Sequence, residues 1–560
     1  MSTLMSSEDR QNPQPALLYE NVPIARTSKT IPLGLPIAPV NNGNNLSPIS
    51  PGHRRVFDVA PSNITNRKRR IAVTTLIIVA NLMQMVSNGV GLFGGLAIAK
   101  KLGVTGVHAN WIAASYPLAQ GTFVLMSGRL GAVYGHKNML LLGGAWFIAC
   151  TIVNGFVPGF IAFNILRALS GIGGAFILPN GVAMIGITNP PGSARNVSYG
   201  FFGASAPIGG YLGGVLVGVF IEYSKMEWCF VLLVLFTAAV LLPLWWLLPP
   251  ESPVDKGGAV DWLGAGFGTS ALILFNFVWN QAPAVGWQHP YEIAGLVLSL
   301  ALLAAFVLWE RFVDSPIMPP HIFNKQLGVL LFVVLLNYMC IGTTIWYGLS
   351  WLQIVRGQSV LTSALGFSPF VVCGTFAAVF AGWLVPRLAA QWVLAIGAAS
   401  AASAALLIAT MPVQETYWAQ VFPAWILMAF SPDLVYTAAQ IIASNSVGRS
   451  EQGVAGSLIG TLNLFGCSLG LGFASTIETQ VNRSRTNRIL GYRSALWFGF
   501  AIAMIALLLD VLLVRRAKDD REGWDDDVES DLVHHANDVD GANATGVEVV
   551  SLDARSEQLV

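Results

Sequence analysis

The chain has 560 residues, of which 54% are hydrophobic and 11% charged, with a formal net charge of +1. Soluble domains carry roughly 25% charged residues, so this composition excludes a soluble globular protein and implies one built into a lipid bilayer. The near-zero total averages a basic arm, a nearly neutral middle and an acidic tail, so it carries no argument for a nucleic-acid partner.

Residues 1–70 are rich in Pro, Ser and Asn, lack hydrophobic periodicity and lack the apolar core of a secretory signal. They are expected to form a disordered cytoplasmic arm. Apolar runs of about 20 residues then recur, the length a helix needs to cross hydrocarbon about 30 Å thick. They fall near 71–99, 108–128, 138–157, 159–187, 196–222, 228–249, 261–282, 291–310, 327–351, 362–386, 389–411, 418–443, 453–478 and 494–515, fourteen spans in all. Cys150, Cys229, Cys340, Cys373 and Cys467 are scattered among them, which fits packing rather than a disulfide framework or metal site. Residues 516–560 turn acidic after Lys518 (DDREGWDDDVESD) and cannot bury enough apolar surface to fold, so an acidic disordered tail is expected.

Lys and Arg set orientation, because short basic loops stay cytoplasmic. Arg67 to Arg70 precede the first span, Arg129 and Lys137 follow the second, and Arg515, Arg516 and Lys518 follow the last. Both termini are therefore expected in the cytoplasm. The loop between spans 13 and 14 runs against this rule with Arg483, Arg485, Arg488 and Arg493 on the expected outer face. The same loop holds a glycosylation sequon at Asn482, usable only from outside.

The chain also reads as duplicated. Span 5, SYGFFGASAPIGGYLGGVLVG, and span 13, GVAGSLIGTLNLFGCSLGLG, are both glycine-dense and both fifth in a block of six. Gly382, Leu384 and Arg387 after span 10 echo Gly128, Leu130 and the cations after span 2. The expected organisation is a six-helix bundle over 71–249, an inserted helix pair with linkers over 250–326 and a second six-helix bundle over 327–515. Parallel halves around a central cavity are a transporter architecture.

Ala206, Gly210, Gly214 and Gly218 lie four apart in span 5 and are expected to form one stripe for close helix contact, with Pro207 permitting a bend. Charge at membrane depth is costly, so each instance is a functional candidate. Arg167 in span 4 and Asp433 in span 12 are the deepest. Arg167 could instead snorkel outward. Asp433, following a proline, could take and release protons during transport, or serve as a fixed partner for backbone or Asn groups. Asp261 is expected to cap span 7, and Glu222, Glu310 and Asp510, near helix ends, are expected at solvated interface. Span 1 offers Asn81, Gln84, Ser87 and Asn88, which can hydrogen-bond a substrate without titrating. Asn337, Tyr338, Trp346 and Asn463 are further cavity candidates, with Trp111, Asn276, Trp279, Asn280 and Gln440 behind them; helix packing is the competing reading for each.

The stretch SGRLGAVYGHKNML, residues 127–140, resembles the signature turn of the major facilitator superfamily, Gly-x-Leu-x-Asp-x-x-Gly-Arg-Lys, through Gly128, Leu130, Gly135, His136 and Lys137. Ala132 stands where the family has aspartate. ILRALSGIGGA matches the family's helix 4 through Arg167 and Gly171, APIGG around Pro207 resembles a loosened antiporter motif, and VDWLGAGFGTSALILF is similar to the seventh span of the fourteen-helix drug:proton antiporter branch. The resemblance covers residues 70–516, and fungal aminotriazole-resistance pumps are the type suggested. It implies an all-α fold of two six-helix bundles with an inserted pair, no cofactor beyond a proton gradient and a monomer. It also implies that Gly128, Arg129, Leu130, Gly135, His136 and Lys137 form a gating turn. Without an acid at position 132, charge-based gating is expected to be weaker. Relatives often carry an aspartate in helix 1, which this chain lacks.

No HExxH cluster or GxxxxGK[ST] phosphate loop occurs, and the seven histidines lie in tails or near span ends, which argues against a membrane enzyme and against ATP-driven pumping. The expected function is proton-coupled efflux of small toxic or amphiphilic compounds by alternating access, at a plasma membrane or a vacuolar membrane. The alternatives are a facilitator or uptake carrier for a small polar nutrient or ion, and a transporter-like nutrient receptor.

Overall fold

The structure, a computed structural model, describes residues 66–514 apart from 105, 190–192, 250, 252, 314–315, 319–322, 324, 385–386, 445, 447–451 and 484–486. The expected disorder of residues 1–65 and of the tail, with Arg515, Arg516 and Lys518, lies outside the described residues. So do Arg485 and the Ser484 of the Asn482 sequon.

Regular structure among the described residues is helical throughout. The elements are α1 (Arg67–Lys101), α2 (Asn110–Tyr134), α3 (His136–Phe156), α4 (Phe160–Thr188), α5 (Ser193–Tyr223), α6 (Met226–Leu247), α7 (Trp262–Val285), α8 (Pro290–Trp309), α9 (Lys325–Ser350), α10 (Val360–Leu365), α11 (Ser368–Leu384), α12 (Ala390–Thr410), α13 (Val421–Ser444), α14 (Gln452–Val481) and α15 (Arg488–Leu513). Thirteen spans are long and apolar enough to cross a membrane, with α10 and α11 forming one of them. The helix not counted is α2, which is 25 residues long but carries Asn110, Ser115, Gln120, Thr122 and Ser127, all buried. Its polarity faces the bundle, where neighbouring helices rather than lipid meet it. With it the expected fourteen crossings are present.

The basic run Arg67–Arg70 belongs to α1 itself rather than to the arm, because the Asn66 side chain accepts from the backbone N–H of Lys68 at 3.0 Å and starts the helix four residues early. Asp261 caps α7, accepting from Gly264 N–H at 2.9 Å. The outer surface is apolar, with Trp245, Trp246, Phe236 and Leu298 all more than half exposed, as a lipid-facing surface requires.

Helix pairing repeats between the halves. Helix α1 packs on α5, α2 on α4, and α3 on α4 and α6; correspondingly α9 packs on α14, α11 on α13, and α12 on α13 and α15. The halves meet where α2 packs on α14 and where α5 packs on α10 and α11, while α7 and α8 form the inserted pair, with α7 lying on α14 and α2. Glycine sets the closest of these contacts, only partly along the expected stripe. A Cβ on Gly213 would strike the carbonyl of Val86, one on Gly89 would strike the carbonyl of Gly210, and one on Gly209 would lie 2.7 Å from the carbonyl of Leu82. The backbone of α5 thus meets that of α1 at Gly209 and Gly213, whereas a Cβ on Gly210 would meet open space. Gly214 backs onto the Phe93 ring, and Gly218 onto the backbone of Leu361 in the other half.

We call the end holding the N-terminus of α1 and the α2–α3 turn the basic end. Hydrogen bonds among the described residues that join the two halves directly include Gln353 Nε2 to the Phe93 carbonyl at 3.0 Å, Leu361 N–H to Glu222 Oε1 at 3.0 Å, and Ser468 Oγ to the Ala114 carbonyl at 3.1 Å. All three lie toward the opposite, far end. The far-end cations that break the charge rule have local partners: Arg493 donates to the Met411 carbonyl and sits over the Trp351 ring, and Arg483 donates to Gln480.

Candidate transport site

The centre of the first half is a set of neutral hydrogen bonds. Gln84 of α1 is fully buried. Its amide donates to Asn81 Oδ1 at 2.9 Å, while its carbonyl accepts from Tyr116 Oη at 2.9 Å and Gln120 Nε2 at 2.8 Å. Asn81 passes the chain on to Ser205 of α5 at 2.8 Å. The network therefore ties α1, α2 and α5. Gly174 of α4 makes room for it, since a Cβ there would meet Tyr116 Oη, Gln84 Oε1 and Gln120 Nε2 together. Tyr116 and Gln120, one turn apart on α2, escaped the reading of the sequence because neither is charged. Their i, i+4 spacing was the available signal.

Arg167 does not snorkel. It is fully buried, donating Nε to the Ile112 carbonyl at 3.0 Å and Nη1 to the Ser87 carbonyl at 3.2 Å, with its guanidinium 5.5 Å from the Tyr116 ring. Nη2 has no partner, and Gly91 leaves it space. The fork of donors fits two backbone carbonyls on two helices in a way a lysine would not.

In the second half, Asn337 and Tyr338 of α9 are buried and tied to α13: Asn337 Nδ2 donates to Ser431 Oγ at 3.1 Å and Tyr338 Oη to the Pro432 carbonyl at 2.9 Å. Both contacts fall just before Asp433 and neither bonds it. Helix α13 runs unbroken through Pro432. No described residue forms a hydrogen bond or ion pair with the Asp433 carboxylate. It stands near the middle of α13, whereas Glu292, Glu478 and Asp510 each lie within a turn of a helix end. One turn before Asp433, the Ala429 carbonyl lies beside Gly374 of α11, and Gly374 packs against Pro207 of α5, so the antiporter-like proline reaches the other half near this carboxylate. Trp346 is buried with its ring against Gly95 of α1. Asn88 and Asn463 are partly buried and hydrogen-bond no described residue.

The expectation of solvated interface fails for two acids. Glu310 is 3% exposed and accepts from Met318 N–H at 3.0 Å, and Asp510 is fully buried. Position near a helix end gives depth along the axis but not which face the neighbours cover. Glu222 does lie exposed and joins the halves through Leu361. A further acid went unnoticed: Glu478 accepts from Tyr347 Oη at 2.7 Å, and Tyr347 packs edge-on against Tyr492 at 5.5 Å, linking α9, α14 and α15 near the far end.

At the basic end, Gly135 adopts φ 96°, which lets one residue end α2 and start α3. His136 Nδ1 lies 2.8 Å from Asn180 Oδ1, Leu130 is buried, and a Cβ on Gly128 would meet nothing. Arg129 pairs with Asp255 at 2.9 Å and donates to the Ala259 carbonyl at 2.8 Å.

Two mirrored six-helix groups, polar at their centres and apolar where they face lipid, define a multi-pass membrane carrier rather than an enzyme. The chain belongs to the major facilitator superfamily, whose family model matches residues 76–471. It is 32% identical to the low affinity ammonium transporter of Saccharomyces cerevisiae, over 81% of this chain and 90% of that one. It is 33% identical to the efflux pump terJ of Aspergillus terreus, over 77% and 86%, and 31% identical to the aminotriazole resistance protein of Saccharomyces cerevisiae, over 74% and 78%. Among solved structures, a bacterial homolog of the human lysosomal transporter Spinster, in an inward-facing and unoccupied conformation, aligns with TM-score 0.55 at 16% identity, over 82% of this chain and 99% of that one.

Proposed function

We propose that this carrier exports small toxic or amphiphilic compounds in exchange for protons, by alternating access about a site between the halves. Relatives named as efflux pumps support the direction. The observation that carries the coupling is Asp433, a mid-helix carboxylate without a partner among the described residues. An acid so placed can be protonated from one side and deprotonated to the other as the halves rock, and needs no cofactor beyond the gradient. Arg167, tied to two carbonyls, would hold α1, α2 and α4 in register while this happens. Gln84, Asn88, Asn337, Tyr338, Trp346 and Asn463 are the residues we place around the substrate path.

The same reading puts the protein in the plasma membrane as a monomer, the basic end and both termini in the cytoplasm, and Asn482 outside as a glycosylation site. We divide the chain at 71–249, 250–326 and 327–515, a division that the pairing of helices supports. The test uses inside-out vesicles with an acid interior and a pH dye. Compounds that dissipate the gradient with the wild type and not with Asp433→Asn fit exchange through this acid. Labelled compounds that cross while the gradient stays untouched would sink it.

A second reading, a facilitator or uptake carrier for a small polar nutrient or ion, is favoured by one pair of observations: the centre of α1 is an amide where an acid would be expected, and one relative is named an ammonium transporter.

A further inference from the structure

The α2–α3 turn carries cations without an acid of its own, and the chain between α6 and α7 supplies two. Asp255 pairs through Oδ2 with Arg129 Nη1 at 2.9 Å, and its backbone N–H donates to the carbonyl of Ala132 at 2.9 Å, the position that lacks the carboxylate. Glu251 Oε2 accepts from the backbone N–H of Lys137 at 2.8 Å, in the first turn of α3, where a negative charge complements the helix dipole. Lys137 Nζ donates to the Leu248 carbonyl at 2.6 Å. Left-handed Gly257, φ 83°, turns the chain back after Asp255, and Gly258 N–H bonds the Asp255 carbonyl at 3.0 Å.

This linker runs directly into α7, which is tied to the second half. Asn280 Nδ2 donates to the Ser468 carbonyl at 3.3 Å, and Ser468 Oγ donates to Asn276 Oδ1 at 2.9 Å. One end of the inserted segment is thus pinned by charge to the first half at the basic end. The other is joined by its amides Asn276 and Asn280 to Ser468 of the second half. Helix α7 also touches the first half, through Trp111 Nε1 donating to Gln281 Oε1 at 2.9 Å, so a rotation that carries α7 with the second half moves it relative to the α2–α3 turn and loads or releases the Asp255–Arg129 tie.

We propose that Asp255, with Glu251 beside it, replaces from the linker the acid that Ala132 does not provide, and acts as a positioning residue that favours the conformer joined at the far end. The weaker charge-based gating expected from Ala132 alone then does not follow, because the charge has moved to another segment.

The test needs no substrate, so its failure is distinct from failure of the efflux reading. In the full-length protein, with its five native cysteines replaced, spin labels at Lys68 and Arg387, exposed at the basic end of either half, report the distance between halves by pulsed electron resonance in lipid discs. Asp255→Asn should shift the ratio of the two conformers roughly two- to fivefold away from the wild-type distribution, the size of one partly exposed ion pair. Two double variants should restore it: Asp255→Ala with Ala132→Asp, which returns the acid to the turn, and Asp255→Arg with Arg129→Asp, which reverses the pair. A distribution unchanged by Asp255→Asn overturns the proposal. So does a shift that neither double variant corrects, because the carboxylate would then not be the cause.

Discussion

The two halves share a helix-pairing scheme and differ at their centres. In the first half, Gln84, Asn81, Tyr116 and Gln120 bond one another, and the one charge, Arg167, is held by two backbone carbonyls. In the second, Asn337 and Tyr338 bond α13 at Ser431 and Pro432, just before Asp433, and leave the carboxylate alone. A duplicated scaffold can therefore separate two tasks: one half uses its polar groups to fix helix positions, the other keeps an ionisable group available. Stability and transport should part company accordingly.

The largest effect expected is on transport. Asp433→Asn should abolish proton-linked movement in vesicles while leaving the heat-unfolding midpoint in detergent near wild type, because no hydrogen bond is lost. A large drop in that midpoint would place Asp433 among the structural ties and erase the contrast. Gln84→Leu should do the reverse. It strips Tyr116 and Gln120 of their shared acceptor, and buried polar groups left unpaired cost about 1–3 kcal/mol, so the midpoint should fall clearly. Gly174→Ala should act on the same network through crowding, by roughly 1–3 kcal/mol. A change that left the midpoint in place would mean the network yields without cost. Smallest is Glu222→Gln at the far end. The amide oxygen can still accept from Leu361 N–H, and an exposed contact of this kind is worth about 1 kcal/mol or less, so neither transport nor stability should move measurably.

Much of this was legible in the chain before folding. Span length and apolarity depend on local composition, and thirteen of the crossings follow from both, while the more polar α2 follows from its length. Asp261 as a cap and Gly135 as a turn were readable because each acts within four residues. The candidate site was only partly legible. Asp433 and Arg167 stood out because charge in an apolar run is conspicuous, but nothing local said that one would be left alone and the other bound to α1 and α2. Glu478, Asp510 and Glu310 were missed or misplaced because burial of a helix end depends on what packs beside it.

The sequence by itself determined that this is a membrane protein with two related halves and an inserted pair, since bilayer thickness imposes a length and an apolarity that are written residue by residue. Which glycines face α1, which polar groups satisfy each other, and where the acid missing at Ala132 is found were decided only by tertiary structure. Those are distances between segments tens to hundreds of residues apart, set by helix rotation about its own axis, and a span that is apolar nearly all round does not encode that rotation locally.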